Sequence, residues 1–443
     1  MRAPGPSTLQ FIGGVRKHGF LDYVGQLWHA HGDTFQVRLA GRTLMFAIHP
    51  VALEQITISG RAKYDKRASF EPVRKYLTGE GLVASTGELW RRQRRLMSPF
   101  FTPKGIRSYA DTMIHDALRM QARWEVLARA GNEVEIAEEM TIVTASIILK
   151  ALFSADTMES IDRMRHAVET MIGFVTQRAT GIPVPAWIPT PGNRRYKAAQ
   201  HMVHRSIEAL IADRRKVGRD AWPDDLLTRL MSTRDEETGQ MMSDTLLRDE
   251  AITMFFAGHE TTARTLTFAW YALASNPHVA AKLHAELDQV LGQRAPTVDE
   301  LKQLPYTLQV VKEVMRLYPP APFYSRDAIE TDRLGGFDVE PGTIMLLSPY
   351  YSHRHPAYWE EPERFDPDRW TREREMYSPA YHPFGSGQRV CIGNSFSLLE
   401  SHLLLAILAQ RFAPKLRPGY QARWDMRGVL SLTNGLPMTI ELR

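Results

Sequence analysis

The sequence predicts a mainly helical chain with a small β-rich lobe near its N-terminus. Three observations carry that expectation. Two short strand-like runs flank Gly41, apolar residues at helical spacing dominate from about Gly105 onward, and long helical patterns at residues 243–275 and 391–410 are bounded by helix punctuation.

In chain order, residues 34–39 and 43–48 alternate or run apolar around Gly41, which reads as a β-hairpin. Residues 243–275 form the longest helical pattern, with Ser243 or Asp244 as N-cap and Asn276-Pro277 as the stop. That helix is apolar on nearly all sides over 251–257, so it should run through the interior. A second helix at 306–317 ends before Pro319-Pro320. Gly335-Gly336, Pro341-Gly342 and short apolar runs then mark strands and turns, and an irregular stretch rich in Pro, Arg and Trp leads to Phe384 and the final helix.

The 443 residues, 44% hydrophobic and 24% charged, exclude a disordered or collagen-like chain. A net charge of +5 gives no footprint of a nucleic-acid binder, but twelve Lys/Arg against four Asp/Glu between Arg61 and Arg107 predict one basic face. With one cysteine, an intramolecular disulfide and any cysteine-rich zinc or iron–sulfur site are excluded. The first residues lack a signal-peptide core, and no uncharged apolar run approaches the roughly 18 residues of a transmembrane anchor, so a soluble, cytoplasmic protein is expected. His29-x-His31 and His353-x-His355 lack further ligands at motif spacing and read as structural, and no Gly-x-Ser-x-Gly elbow supports a hydrolase.

The single cysteine sits in Phe384-Gly385-Ser386-Gly387-Gln388-Arg389-Val390-Cys391-Ile392-Gly393, just before the last helix. Unpaired N–H groups at a helix start, with Arg389 nearby, favour thiolate over thiol, while Gly387 and Gly393 allow a flat group to approach the sulfur. On these residues alone a buried structural cysteine is the commoner outcome. A dinucleotide loop fails, because Val390 stands where its third glycine belongs.

Phe384-x-x-Gly387-x-Arg389-x-Cys391-x-Gly393 resembles the haem-binding signature of the cytochrome P450 family of haem-thiolate monooxygenases. The resemblance implies haem b (iron protoporphyrin IX) with Cys391 as axial iron ligand, Phe384 beside the sulfur and Arg389 on a propionate. In Ala257-Gly258-His259-Glu260-Thr261-Thr262, an acid and two hydroxyls in an apolar helix need partners or a bend. The family resemblance implies that Thr261 is the dioxygen-side hydroxyl and Glu260 the proton-relay acid, with Gly258 leaving room for the gas and both Ala257 and Gly258 against the haem. Glu313 and Arg316, three apart, would pair ordinarily at a surface. In the family this Glu-x-x-Arg is a buried structural pair joined by the arginine of Pro362-Glu363-Arg364-Phe365, which implies Arg364. Trp90 and Arg94 share a helical face and by family pattern reach propionates, as does Arg326.

These motifs run in the family's order from Trp90 to Gly393, so the resemblance implies one haem-thiolate monooxygenase domain over residues 1–443, with the cytochrome P450 fold holding haem between the interior helix and the cysteine loop. It implies oxygen insertion from O2 into a lipophilic small molecule: a fatty acid, a terpenoid or a polyketide-like compound. Electrons would come from a ferredoxin or flavodoxin-type donor docking on the basic face, where Arg91, Arg92 and Arg95 point outward, and the protein is expected as a monomer. By family position the substrate pocket draws on Leu82, Val83, Phe174, Phe255, Ala257, Ala321 and Phe323, with Phe174 and residues 183–191 as a lid. A peroxide-driven peroxygenase, which usually lacks the acid–Thr pair, and a non-catalytic haem sensor or lipophile carrier are the alternatives.

Overall fold

The N-terminal lobe begins with helices, not strands. The computed structural model describes residues 1–443 except 155–157, 181–183 and 372–378. Helix α1 (Thr8–His18) starts on a capping box in which Ser7 and Gln10 satisfy each other's backbone N–H groups, and α2 (Phe20–His31) follows after Gly19. The expected hairpin is strands β1 (Thr34–Leu39) and β2 (Arg42–Ala47), paired antiparallel. Its apolar faces bury Phe35, Val37 and Phe46 against Phe11, Val24 and Leu27 of the two helices. Those helices were missing from the sequence expectation, because each has a narrow apolar stripe that only the hairpin makes into a core.

The lobe is also not made from the N-terminal segment alone. Strand β3 (Tyr64–Asp65) and two distant strands, β4 (Tyr324–Ala328) and β5 (Ile344–Leu347), complete a five-stranded sheet in the order β1-β2-β5-β4-β3. Strand β2 runs parallel to β5, with Leu44 opposite Ile344 and Ala47 opposite Leu347. The parallel contact joins segments some 300 residues apart in sequence, so local periodicity cannot announce it.

The remaining helices that position the site are α3 (Gly87–Met97), α4 (Ile136–Phe153), α5 (Asp244–Ser275), α6 (Pro305–Leu317) and α7 (Asn394–Arg411). Ser243 caps α5 by accepting the Leu246 N–H at 3.2 Å, and Asn276-Pro277 ends it, as its sequence predicts. Helix α5 is buried along most of its length and packs along α4; a Cβ on Gly258 would lie 3.0 Å from the Ile148 side chain. Helix α7 is buried from Glu400 to Gln410. Among the described residues, no helix is long and apolar enough to cross a membrane.

Candidate functional site

A cavity of about 320 Å³ lies between α5 and the loop that precedes α7. Ala257, Gly258, Thr261 and Thr262 form one wall, and Phe384, Arg389, Cys391 and Gly393 the other. The loop is wound tightly enough that the Cys391 N–H donates to the Phe384 carbonyl at 2.9 Å. Gly387 has φ +70°, and a Cβ there would sit 2.0 Å from the Thr57 carbonyl oxygen, so only glycine fits.

The Cys391 side chain opens onto the cavity while the protein shields it from bulk water. Burial pushes its thiol pKa up, opposed by the Gly393 backbone N–H and by Arg94. Arg389, expected from sequence as the neighbouring charge, instead lies over the Trp90 ring at 3.8 Å and donates to the Ser85 carbonyl at 2.9 Å. The nearer cation is Arg94, which donates to Val390 O at 2.8 Å.

Four cations line this cavity: Lys66, Arg94, Arg326 and Arg389. Among the described residues, none of the four lies within ion-pair distance of a carboxylate, and no acidic side chain lines the cavity. Lys66 is buried with its ammonium 4.0 Å from the centre of the Phe70 ring, and burial, Arg326 and Arg389 together hold its pKa well below the ordinary lysine value. Burial likewise lowers the pKa of Arg326. Unpaired buried cations are costly unless an anion meets them. A thiol on one wall, apolar surface around it and four unpaired cations fit a flat, apolar ligand carrying carboxylates. Lys66 was not found by sequence reasoning. Pairing of Asp65 with Asp327 sets it beside Arg326, and that contact exists only in the folded sheet.

On α5, Thr261 lines the cavity, and its hydroxyl donates to Ala257 O at 2.7 Å. Glu260 stands behind it, outside the lining. Its Oε1 accepts from Arg264 at 3.4 Å, its Oε2 has no hydrogen-bond partner, and burial raises its pKa against the pull of Arg264. His259 faces away, stacked on Phe255, with its Nδ1–H donated to Phe255 O at 2.7 Å. Gly258 does line the cavity, but its missing Cβ is what lets Ile148 of α4 approach.

Of the expected pocket residues, Leu82, Val83, Ala257 and Ala321 line the cavity, and Ile148, Met254 and Met315 join them. Phe255, Phe174 and Phe323 do not. Phe255 is one residue past Met254, hence turned about 100° away from the cavity. Phe174 stacks on Tyr196 with centroids 3.9 Å apart, and Phe323 meets Phe20 edge-on at 5.3 Å in the N-terminal core. The expected lid at 183–191 begins outside the described residues; from the helix that follows, Asn193 donates to Pro185 O and Ile188 O, tying 185–188 to that helix.

Glu313 and Arg316 are fully buried and pair at 2.8 Å. Arg364, the expected third member, does not join them: its guanidinium is exposed on Glu361, and it offers Arg316 only its backbone carbonyl. Arg369 takes that place, donating to Glu313 at 3.0 Å, with Trp370 Nε1 and the Asp366 N–H also on Glu313. The 3-10 turn Pro367–Thr371 turns these donors inward, whereas Arg364 precedes it on the outside.

The basic segment is also less free than its composition implies. Arg95 pairs with Asp235 at 2.8 Å and with Glu237, Arg92 approaches Asp235 at 3.7 Å, and Arg91 pairs with Glu88. Asp33, His49 and His355 come within 4.8 Å of one another. Both histidines accept a backbone N–H at Nδ1, so each keeps its proton on Nε2, and that of His355 is donated to Asp33 at 3.2 Å, an arrangement that fits hydrogen bonding rather than metal ligation.

A model described as cytochrome P450 matches residues 4–438. Cyclooctatin synthase of Streptomyces melanosporofaciens is 37% identical over 410 residues, covering 92% of this chain and 88% of that protein. Cyclooctat-9-en-7-ol 5-monooxygenase of the same organism is 36% identical over 394 residues, covering 88% and 83%. The crystal structure of the cytochrome P450DA heme domain superposes with a TM-score of 0.89 at 28% identity, covering all of this chain and 98% of that one.

Proposed function

The chain belongs to the cytochrome P450 family of haem-binding monooxygenases, and from that premise we propose that it inserts one atom of O2 into a lipophilic terpenoid held in the cavity below Leu82 and Val83. One observation carries the reading: Cys391 and Thr261 line opposite walls of one largely apolar cavity.

When bound, haem supplies the iron at which O2 is activated, and the thiolate ligand favours cleavage of the O–O bond. The chain's own residues do the rest. Cys391, the sole cysteine, provides the thiolate. Lys66, Arg94, Arg326 and Arg389, with Trp90 beside them, hold the propionates, and Phe384 packs beside the sulfur. Glu260 is the relay acid: burial raises its pKa above that of an ordinary carboxylic acid, and Arg264, which opposes the shift, is its resting partner. Thr261 releases Ala257 O and turns its hydroxyl into the cavity. The apolar walls exclude bulk water and orient the substrate. The relative named for cyclooctat-9-en-7-ol supports a terpenoid over the fatty-acid and polyketide-like alternatives. The acid–Thr pair supports O2-driven turnover over a peroxygenase or a carrier. We read residues 1–443 as one monooxygenase domain, monomeric and cytoplasmic, fed by a separate ferredoxin or flavodoxin-type donor.

Turnover with a ferredoxin and its reductase tests this directly. Cyclooctat-9-en-7-ol should give a spin-state shift and a product carrying label from isotopic O2; fatty acids shifting the spectrum where terpenoids do not would overturn the terpenoid reading. Thr261→Ala should keep the haem spectrum but cut product per electron consumed by about tenfold or more. Unchanged coupling would remove Thr261 from the relay. Lys66→Met should lower the haem-to-protein absorbance ratio after purification, and full haem occupancy would remove Lys66 from the propionate set.

A further inference from the structure

The loop before α3 carries Leu82 and Val83 of the cavity wall, yet its backbone is held by groups outside it. The Leu82 N–H donates to Glu250 Oε2 at 3.0 Å, and the Glu80 N–H to Asp249 Oδ2 at 2.9 Å. Gln93 donates to Glu80 O at 2.6 Å, and beyond the wall Arg389 donates to Ser85 O. Gly81 is needed for this seat, because a Cβ there would lie 1.9 Å from Thr253 Oγ1 on α5. The wall is thus hung between α5 and the cysteine loop.

Glu250 is unusual among these anchors. It is completely buried, and its Oε1 has no hydrogen-bond partner. The charges around it are Asp249 and Arg248 on α5, the latter paired with Asp249 and Glu208 and close to His204, and Glu80 on the loop, paired with Arg74. Among the described residues, none brings a cation within ion-pair distance of Glu250. A buried acid without a cation is far cheaper neutral than charged. Burial, with Asp249 adding to it, accordingly pushes its pKa up to about 8.

We propose that Glu250 is a positioning residue that seats the Leu82–Val83 wall over the ligand space and so sets which ligands the cavity accepts. The inference rests on reading the cavity as the ligand site beside haem. It also fixes a pH dependence. In an opened, hydrated loop Glu250 regains an ordinary carboxylate pKa near ~4.3, whereas the seated form holds its proton to about 8. Seating therefore takes up a proton, and opening becomes easier by up to tenfold per pH unit from about pH 5 to about pH 8, with no further change above that.

The test uses the holoprotein with two iron-binding probes, 4-phenylimidazole, which adds an apolar ring for the wall to contact, and imidazole, which lacks that ring. Glu250→Leu should weaken 4-phenylimidazole at least about tenfold and leave imidazole within about twofold, while Glu250→Gln, which keeps an acceptor for Leu82, should bind both like wild type near pH 6.5. Hydrogen exchange over residues 79–83 should show opening that rises with pH beyond base catalysis in wild type and not in Glu250→Gln. Equal affinities in Glu250→Leu, or the same pH dependence of exchange in Glu250→Gln, would overturn the proposal. If Glu250→Leu does not fold, the exchange comparison with Glu250→Gln decides. A wild type that binds neither probe at its haem defeats the reading of the site, and the exchange comparison still tests Glu250.

Discussion

Replacing Cys391 by serine is expected to abolish the thiolate-specific Soret band of the reduced carbon-monoxide complex and with it all O2-dependent turnover. No other residue can substitute, because the chain has one cysteine and its side chain faces the cavity. A serine hydroxyl has a far higher pKa than a thiol and stays neutral where burial already discourages a thiol from ionising, so it gives iron no anionic, electron-donating ligand. The loop itself should survive, since the Cys391 N–H to Phe384 O bond is backbone and Ser fits the same space. Difference spectra of the two proteins, reconstituted in parallel, read this out. A retained thiolate band in the variant would mean that Cys391 is not the ligand.

The second large effect is a contrast between two arginines. Arg369→Ala should lower stability by about 3 kcal/mol, because it strips a partner from the fully buried Glu313 and leaves that carboxylate to Arg316, Trp370 and one backbone N–H. Arg364→Ala should produce no measurable shift, since its guanidinium is exposed and its useful contact to Arg316 runs through the backbone carbonyl. Urea midpoints of the holoproteins compare the two. Equal midpoints for both variants would refute the assignment of Arg369 as the third member of the cluster.

That contrast shows where sequence reading stops. A segment order such as Pro-Glu-Arg-Phe names an arginine near the ion pair, but which guanidinium turns inward depends on the path of the chain between Phe365 and Trp370. The same holds for the basic run around α3: its charge excess is legible, whereas the carboxylates of Asp235 and Glu237 that absorb Arg92 and Arg95 come from about 140 residues away.

By itself the sequence determined the interior helix with its cap and stop, the hairpin around Gly41, and the last helix, which begins at Asn394 rather than near Cys391; its motifs also named Cys391, Thr261, Trp90 and Arg94, which the cavity brings together. The elements rest on local rules of periodicity and capping, whereas the site residues were picked out by the resemblance of short motifs, each within one loop or one helix. Only the tertiary structure decided the rest. The five-stranded sheet draws on both halves of the chain, Lys66 is set beside Arg326 by strand pairing, and Phe174, Phe255 and Phe323 are turned from the cavity into other packing. Glu250 is made a neutral anchor for a loop some 170 residues earlier. The energy of each arrangement depends on burial and on which partner is within reach, and neither quantity exists until the chain has folded.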